Sequence, residues 1–247
     1  MLVSLEASMI LTSSNPRPRI ERMLTEVGEL KRDVGRLESG YQDCYYDSQD
    51  AGRNLQSADW PLRRAQSDNG QRDSSHEGRQ ADMYLSQAER SLQNNERDLS
   101  RMDMDSNTAH REFESLKQEL NLSIQECASH AEAQATLQQA RGTLEGAHNN
   151  HQQADSEANW ADNKTRSAIR ELDWADHNVR NIMYDRPGQD VSHDAYQASN
   201  RVNQAQWSVR DCDSNLSRAT SYEDRSEQGL GQLEQQLRQA LQQLPPG

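Results

Sequence analysis

Apolar and small residues recur along most of this chain at alternating spacings of three and four. The first run is Ile20, Met23, Val27, Leu30, Val34, Leu37, Tyr41 and Cys44, and it continues through Ser48, Ala51, Leu55, Ala58, Leu62 and Ala65. Such an alternation is the a/d seam of a coiled coil, in which two positions in seven face a neighbouring helix. Pro16 and Pro18 preset its first turn. Pro61 lacks a backbone donor and disfavours α at Trp60, so the helix over 18–66 is expected to kink or end near 60–61.

A polar stretch at 67–73 reads as a loop, and Ser74-Ser75-His76-Glu77 behind it reads as a capping box. The seam resumes at Ala81 and passes through Leu85, Leu92, Leu99, Phe113, Leu120, Cys127, His130 and Gln134 to Leu137. There the phase slips by three, and a new register runs from Ala140 through Leu144, Ala147, His151 and Ala154 to Ile182. A slip of three is a stammer. With Gly142, Gly146 and Asn149-Asn150 just beyond it, the break in the 74–185 stretch is placed at 137–150. A turn at 186–190 carries Pro187 and Gly188, Asp190 is a candidate N-cap, and a last helix with its own seam occupies 191–244.

The pattern predicts an all-α protein of long antiparallel coiled-coil helices. Turns near residues 72 and 187 set Pro18 opposite about residue 126 and Leu244 opposite about residue 131, so both chain ends meet at the middle of the central stretch. If that stretch is one helix, the molecule is an extended rod of two tandem hairpins sharing a central helix, roughly 160 Å long at about 1.5 Å per residue. If it turns at 140–150, the molecule is a four-helix bundle. The matched arm lengths and the lack of a proline favour the rod, whereas Gly142 and Gly146 favour the bundle.

Composition complicates this picture. Mean hydropathy is -1.12 and the net charge is -13, and Leu, Ile, Val and Phe together make up less than about a fifth of the chain, a balance that flags disorder. Four sustained registers answer the flag, because a seam needs few apolar positions and alanine fills many of them. The acidic balance, with no basic stripe on any helix, argues against nucleic acid as a partner. Cys44, Cys127 and Cys212 fall on seams and read as reduced core thiols. Residues 1–12 are apolar but lack a basic leader region, and no run approaches transmembrane length, which predicts a cytoplasmic protein; export by a non-classical route stays open.

Chemistry is sparse. Cys127 with His130, and His148 with His151, are i,i+3 pairs, and a turn near residue 139 would set Cys127 against His151 and His130 against His148. That donor set suits zinc, yet isolated histidines in polar coils are ordinarily solvated, so no metal and no cofactor is expected. No Glu-x-x-His pair, phosphate loop, dinucleotide fingerprint or nucleophile elbow is present, and an enzyme is not expected. Trp60, Trp160, Trp174 and Trp207 fall at c and f positions, outside the seam. Aromatics placed there mark a second packing surface. The resulting expectation is a non-enzymatic structural or scaffolding protein that forms homo-oligomers through helical faces. One alternative is an adaptor that binds another protein through residues 1–17 or the tryptophan faces. Another is a membrane-associating helical hairpin that remodels bilayers or forms pores, against which stands the lack of a basic amphipathic anchor.

Overall fold

In a computed structural model the described residues are 15–68, 73–184 and 189–245, and among them there is no strand. Four helices of nearly equal length follow one another: α1 (Arg17–Gln66), α2 (Ser75–Glu126), α3 (Ala131–Met183) and α4 (Ser192–Gln242). Each packs on two neighbours in the cyclic order α1, α2, α3, α4, while across the diagonals the α1 and α3 backbones approach only marginally and α2 reaches α4 through side chains, as where Asn95 Nδ2 lies 3.9 Å from the Cys212 thiol. The chain is therefore an up-down-up-down four-helix bundle.

The rod is not formed. Helix α2 ends at Glu126, a single 3-10 turn covers Cys127–Ser129, and α3 starts at Ala131. The break thus falls about ten residues before the expected 137–150 stretch, which lies unbroken inside α3. Gly142 and Gly146 are exposed helical positions where an added Cβ would meet nothing within 4 Å. Buried positions after Cys127 are Ala133, Thr136, Leu137 and Ala140, so the seam changes phase across the turn, and His130 and Gln134 are not core residues. The physical reason for a bundle lies in the alanines. An alanine stripe buries little against one partner, but in a bundle the same stripe faces two neighbouring helices at once.

Two further local expectations change. Helix α1 continues through Pro61, which is buried inside it, to Gln66. The capping box at Ser74 does not form: the Ser74 hydroxyl donates to Asp68 at 2.8 Å, Asp73 accepts from the Ser75 amide at 2.8 Å, and Glu77 pairs with Arg64 at 3.2 Å. Asp190 does act at the start of α4, its carboxylate accepting from the Ser192 amide at 2.9 Å.

The seam residues of α1 from Ile20 to Ala65 are all buried. Apolar packing forms two lengths. One, rich in leucine, holds Leu30, Leu37, Phe113, Leu137 and Leu233; the other, richer in alanine, holds Ala51, Leu85, Leu92, Ala168 and Val202. Between them lies a polar layer. Asn95, fully buried, donates to the Cys44 carbonyl at 3.0 Å, Thr165 lies 3.3 Å from the Cys212 thiol, and the Ser48 hydroxyl donates to the Val209 carbonyl at 3.5 Å. Burial raises the thiols of Cys44 and Cys212 above their ordinary value, and all three cysteines are free.

Candidate functional site

Two features stand out against this frame, one inside the bundle and one on its surface. The interior feature is a second polar layer, within the leucine-rich length. The seam positions His151 on α3, Glu223 on α4 and Ser106 on α2 meet there, exposed by only 1%, 0% and 3%. His151 Nδ1 lies 2.7 Å from Glu223 Oε1, and its Nε2 lies 3.2 Å from the Ser106 carbonyl oxygen and 3.3 Å from the Ser106 hydroxyl. That hydroxyl donates to Asp155 at 3.0 Å.

A Ser-His-Glu line invites a comparison with nucleophilic catalysis, and the hydrogen bonds decide against it. Both ring nitrogens face acceptors, a carboxylate and a carbonyl, so both carry protons and His151 is an imidazolium with no lone pair to offer. Burial alone would lower its pKa, but the hydrogen bond and charge of Glu223 outweigh burial and raise it. Ser106 sits mid-helix, where backbone amides are taken up in helical bonding and cannot serve as oxyanion donors. The arrangement is a buried ion pair. Glu223 Oε2 has no hydrogen-bond partner, and burial raises this carboxyl above the usual range although His151 opposes the shift.

Nearly one turn away on α3, His148 stacks on Phe113 with ring centroids 4.8 Å apart and planes at 8°, and its Nε2 lies 2.8 Å from His110 Nδ1. Burial, followed by the nearby His110, lowers His148 to about 4. It is neutral at pH 7. Phe113 also stacks on His151 at 5.4 Å, so one aromatic ring separates a charged imidazole from a neutral one.

The proposed zinc pairing is not assembled. Because the turn lies at Cys127–Ser129, Cys127 and His130 stay at the end of the bundle, while His148 and His151 sit well inside it facing His110 and Ser106. Among the described residues no three His, Cys, Asp or Glu side chains are placed to hold a metal ion. Sequence reasoning places Tyr41, Ser106 and Glu223 on the seams without giving them a site role, and does not single out His110. A signal for one of them exists: Glu223 is a charged residue on a seam, and a turn centred near residue 187 by itself sets residue 223 opposite residue 151.

The surface feature is aromatic. Trp60, Trp160, Trp174 and Trp207 are exposed by 56%, 61%, 61% and 69%. Two of them lie beneath arginines: the Arg64 guanidinium is 4.8 Å from the Trp60 ring centroid and that of Arg201 is 5.6 Å from Trp174. Trp60 stands apart on α1. Trp160 and Trp174 share one side of α3, fourteen residues and so roughly 21 Å apart, and Trp207 on α4 lies at a height between them. Beneath this aromatic strip three ion pairs cross from α3 to α4: Glu157–Arg218 at 2.9 Å, Lys164–Asp211 at 2.6 Å and Glu171–Arg201 at 2.9 Å. These six charges sum to zero, on a chain whose net charge is -13.

Among the described residues no helix is long and apolar enough to cross a membrane. No family model, no curated protein and no solved structure matches this chain.

Proposed function

We propose that this protein is a non-enzymatic structural or scaffolding bundle that self-associates through its α3–α4 face. The observation that carries this reading is the coincidence of three exposed tryptophans with a charge-balanced strip on an acidic molecule. Two copies at -13 each repel one another over most of their surfaces. The α3–α4 face carries Trp160, Trp174 and Trp207 over paired charges, and tryptophan supplies large contact area per residue and is enriched at interface hot spots.

Sedimentation velocity over a concentration series tests the reading. The native chain is expected to show a mass that rises with concentration to a dimer or higher, and Trp160→Ala with Trp207→Ala is expected to shift it to monomer at unchanged helical content. A native chain that stays monomeric throughout, or a double variant that assembles like the native chain, refutes it. A native monomer that instead forms a complex of fixed stoichiometry with a different protein replaces self-association by the adaptor reading.

A further inference from the structure

Midway along the bundle, between α2 and α3, lies an elongated cleft with a volume of about 410 Å³. Tyr41 of α1 lines its floor, Asp103 and Met104 line it from α2, and Asp155, Asp162 and Arg166 from α3. Three carboxylates thus face one guanidinium, and that guanidinium is already engaged by Asp162 at 3.0 Å and Glu96 at 3.1 Å. The nearby imidazolium of His151 is balanced by Glu223. The cleft carries a net negative charge that nothing in it neutralises.

Two side chains of the cleft have a polar atom without a partner. Tyr41 is 1% exposed, and its hydroxyl makes no hydrogen bond among the described residues. Its phenol is surrounded by anions, since after burial the charges of Glu223 and Asp155 are the main causes that raise its pKa. Asp162 Oδ1 is likewise buried with no hydrogen-bond partner. Burial raises the Asp162 carboxyl, Arg166 opposes the shift, and the charges of Glu96 and Asp103 add to it.

The spacing of the anions selects the ligand. A single metal ion does not fit, because the carboxylates are not gathered around one point. Asp155 and Asp162 are seven residues apart on one helix, roughly 10 Å along its axis. Asp103 lies one turn from Ser106, whose hydroxyl bonds Asp155, and so flanks the Asp155 end. Two anionic ends separated by about 10 Å, with Met104 and Ala158 lining the space between, match a flexible chain that carries separated positive charges on methylene links.

We propose that this cleft binds a linear aliphatic polyamine, with one ammonium group held by Asp103, Asp155 and the Tyr41 hydroxyl and another held by Asp162. The ammonium groups donate to carboxylates and to the phenol oxygen, supplying the hydrogen bond that the Tyr41 hydroxyl lacks. The inference is independent of self-association.

Calorimetric titration of the full chain with spermidine, at fixed ionic strength, tests it. One site per chain is expected, with affinity reduced about tenfold or more by Asp103→Asn and by Asp162→Asn. Tyr41→Phe is expected to weaken binding severalfold without altering the helical circular-dichroism signal. Asp224→Asn removes the same charge from an exposed position elsewhere on the bundle and is expected to leave binding unchanged. Absence of binding overturns the proposal. So does equal weakening by Asp224→Asn, which reports only general attraction to an acidic surface, and so does displacement of spermidine by magnesium at equal charge concentration.

Discussion

Replacing His151 and Glu223 singly and together gives the sharpest test of the interior layer. Both side chains are within 1% of complete burial and are joined by a 2.7 Å hydrogen bond. His151→Leu leaves a carboxylate buried with neither oxygen paired, since Oε2 already lacks a partner. Glu223→Leu leaves an imidazolium without its counter-ion. Removing one member of a buried pair costs about 3–5 kcal/mol, whereas replacing both by apolar residues of similar volume is about neutral or stabilising by a few kcal/mol. The double variant is therefore expected to unfold in urea at or above the native midpoint, and each single variant well below it. From these values the coupling energy of the cycle is at least about 6 kcal/mol in magnitude, far above the scatter of additivity for independent sites. Single variants that each lose less than about 1 kcal/mol, or a double variant as unstable as the two losses summed, would refute the assignment of a charged pair. The pH arm has a definite sign. His151 has a folded pKa raised above 6.5, so its contribution is fully present below pH 6.5 and is lost as pH rises through the folded value. That loss is expected to vanish in His151→Leu with Glu223→Leu.

Other buried groups titrate with both signs. Burial raises the carboxyls of Glu26, Glu112, Asp47 and Asp213, which favours the folded chain as pH falls, whereas burial lowers His148 to about 4, so its contribution is lost as pH falls below 6.5. His148→Phe is expected to remove the loss of stability between pH 6.5 and 4, and an unchanged pH profile of the melting temperature by differential scanning calorimetry would contradict it. Glycine substitutions separate packing from propensity. A Cβ at Gly78 would lie 2.6 Å from the Met183 amide nitrogen and 2.9 Å from the Ile182 carbonyl carbon, both backbone atoms. Gly78→Ala is accordingly expected to destabilise by about 1–3 kcal/mol. Gly142→Ala and Gly146→Ala meet open space and are each expected to stabilise by about 0.5–1 kcal/mol. Urea midpoints of the three variants check both signs, and a stable Gly78→Ala would mean that α2 and α3 are less closely apposed there.

Much of this interior is legible from spacing alone. The 3,4 alternation names every buried seam residue of α1, and turns near residues 72 and 187 bring both chain ends to the middle of the 74–185 stretch. Arg19 duly pairs with Glu126 at 3.1 Å, and Gln243 accepts from Thr136 at 2.9 Å. What spacing does not disclose is the turn itself. Chains usually mark a reversal with glycine or proline because the backbone must enter a left-handed or pre-bent state. Here Cys127 has φ -82 and His130 has φ -122, both open to any residue, so Cys-Ala-Ser-His turns the chain without a conformational signature. The zinc pairing failed for the same reason, since moving the turn from residue 139 to Cys127–Ser129 changes every partner across the α2–α3 seam. Tyr41 escaped notice because a tyrosine at a seam position reads as ordinary core until its hydroxyl is found facing a cleft.

The meeting of the chain ends with that unmarked turn makes the bundle closed in a topological sense. Arg17 donates to the carbonyls of Leu241 and Leu244 at 3.0 and 3.2 Å, so the start of α1 and the end of α4 are fastened at the same end of the molecule where α2 passes into α3. Each helix follows its spatial neighbour around a ring, and the gap between α4 and α1 is simply the fourth link, left uncut by geometry and unjoined by covalent bonds. A chain that begins at Ala131, runs through α4, crosses by a short linker into α1 and finishes at Glu126 visits the same four sides in the same cyclic order. The helices have no intrinsic first or last member; their numbering records the order of the chain and nothing about how they pack.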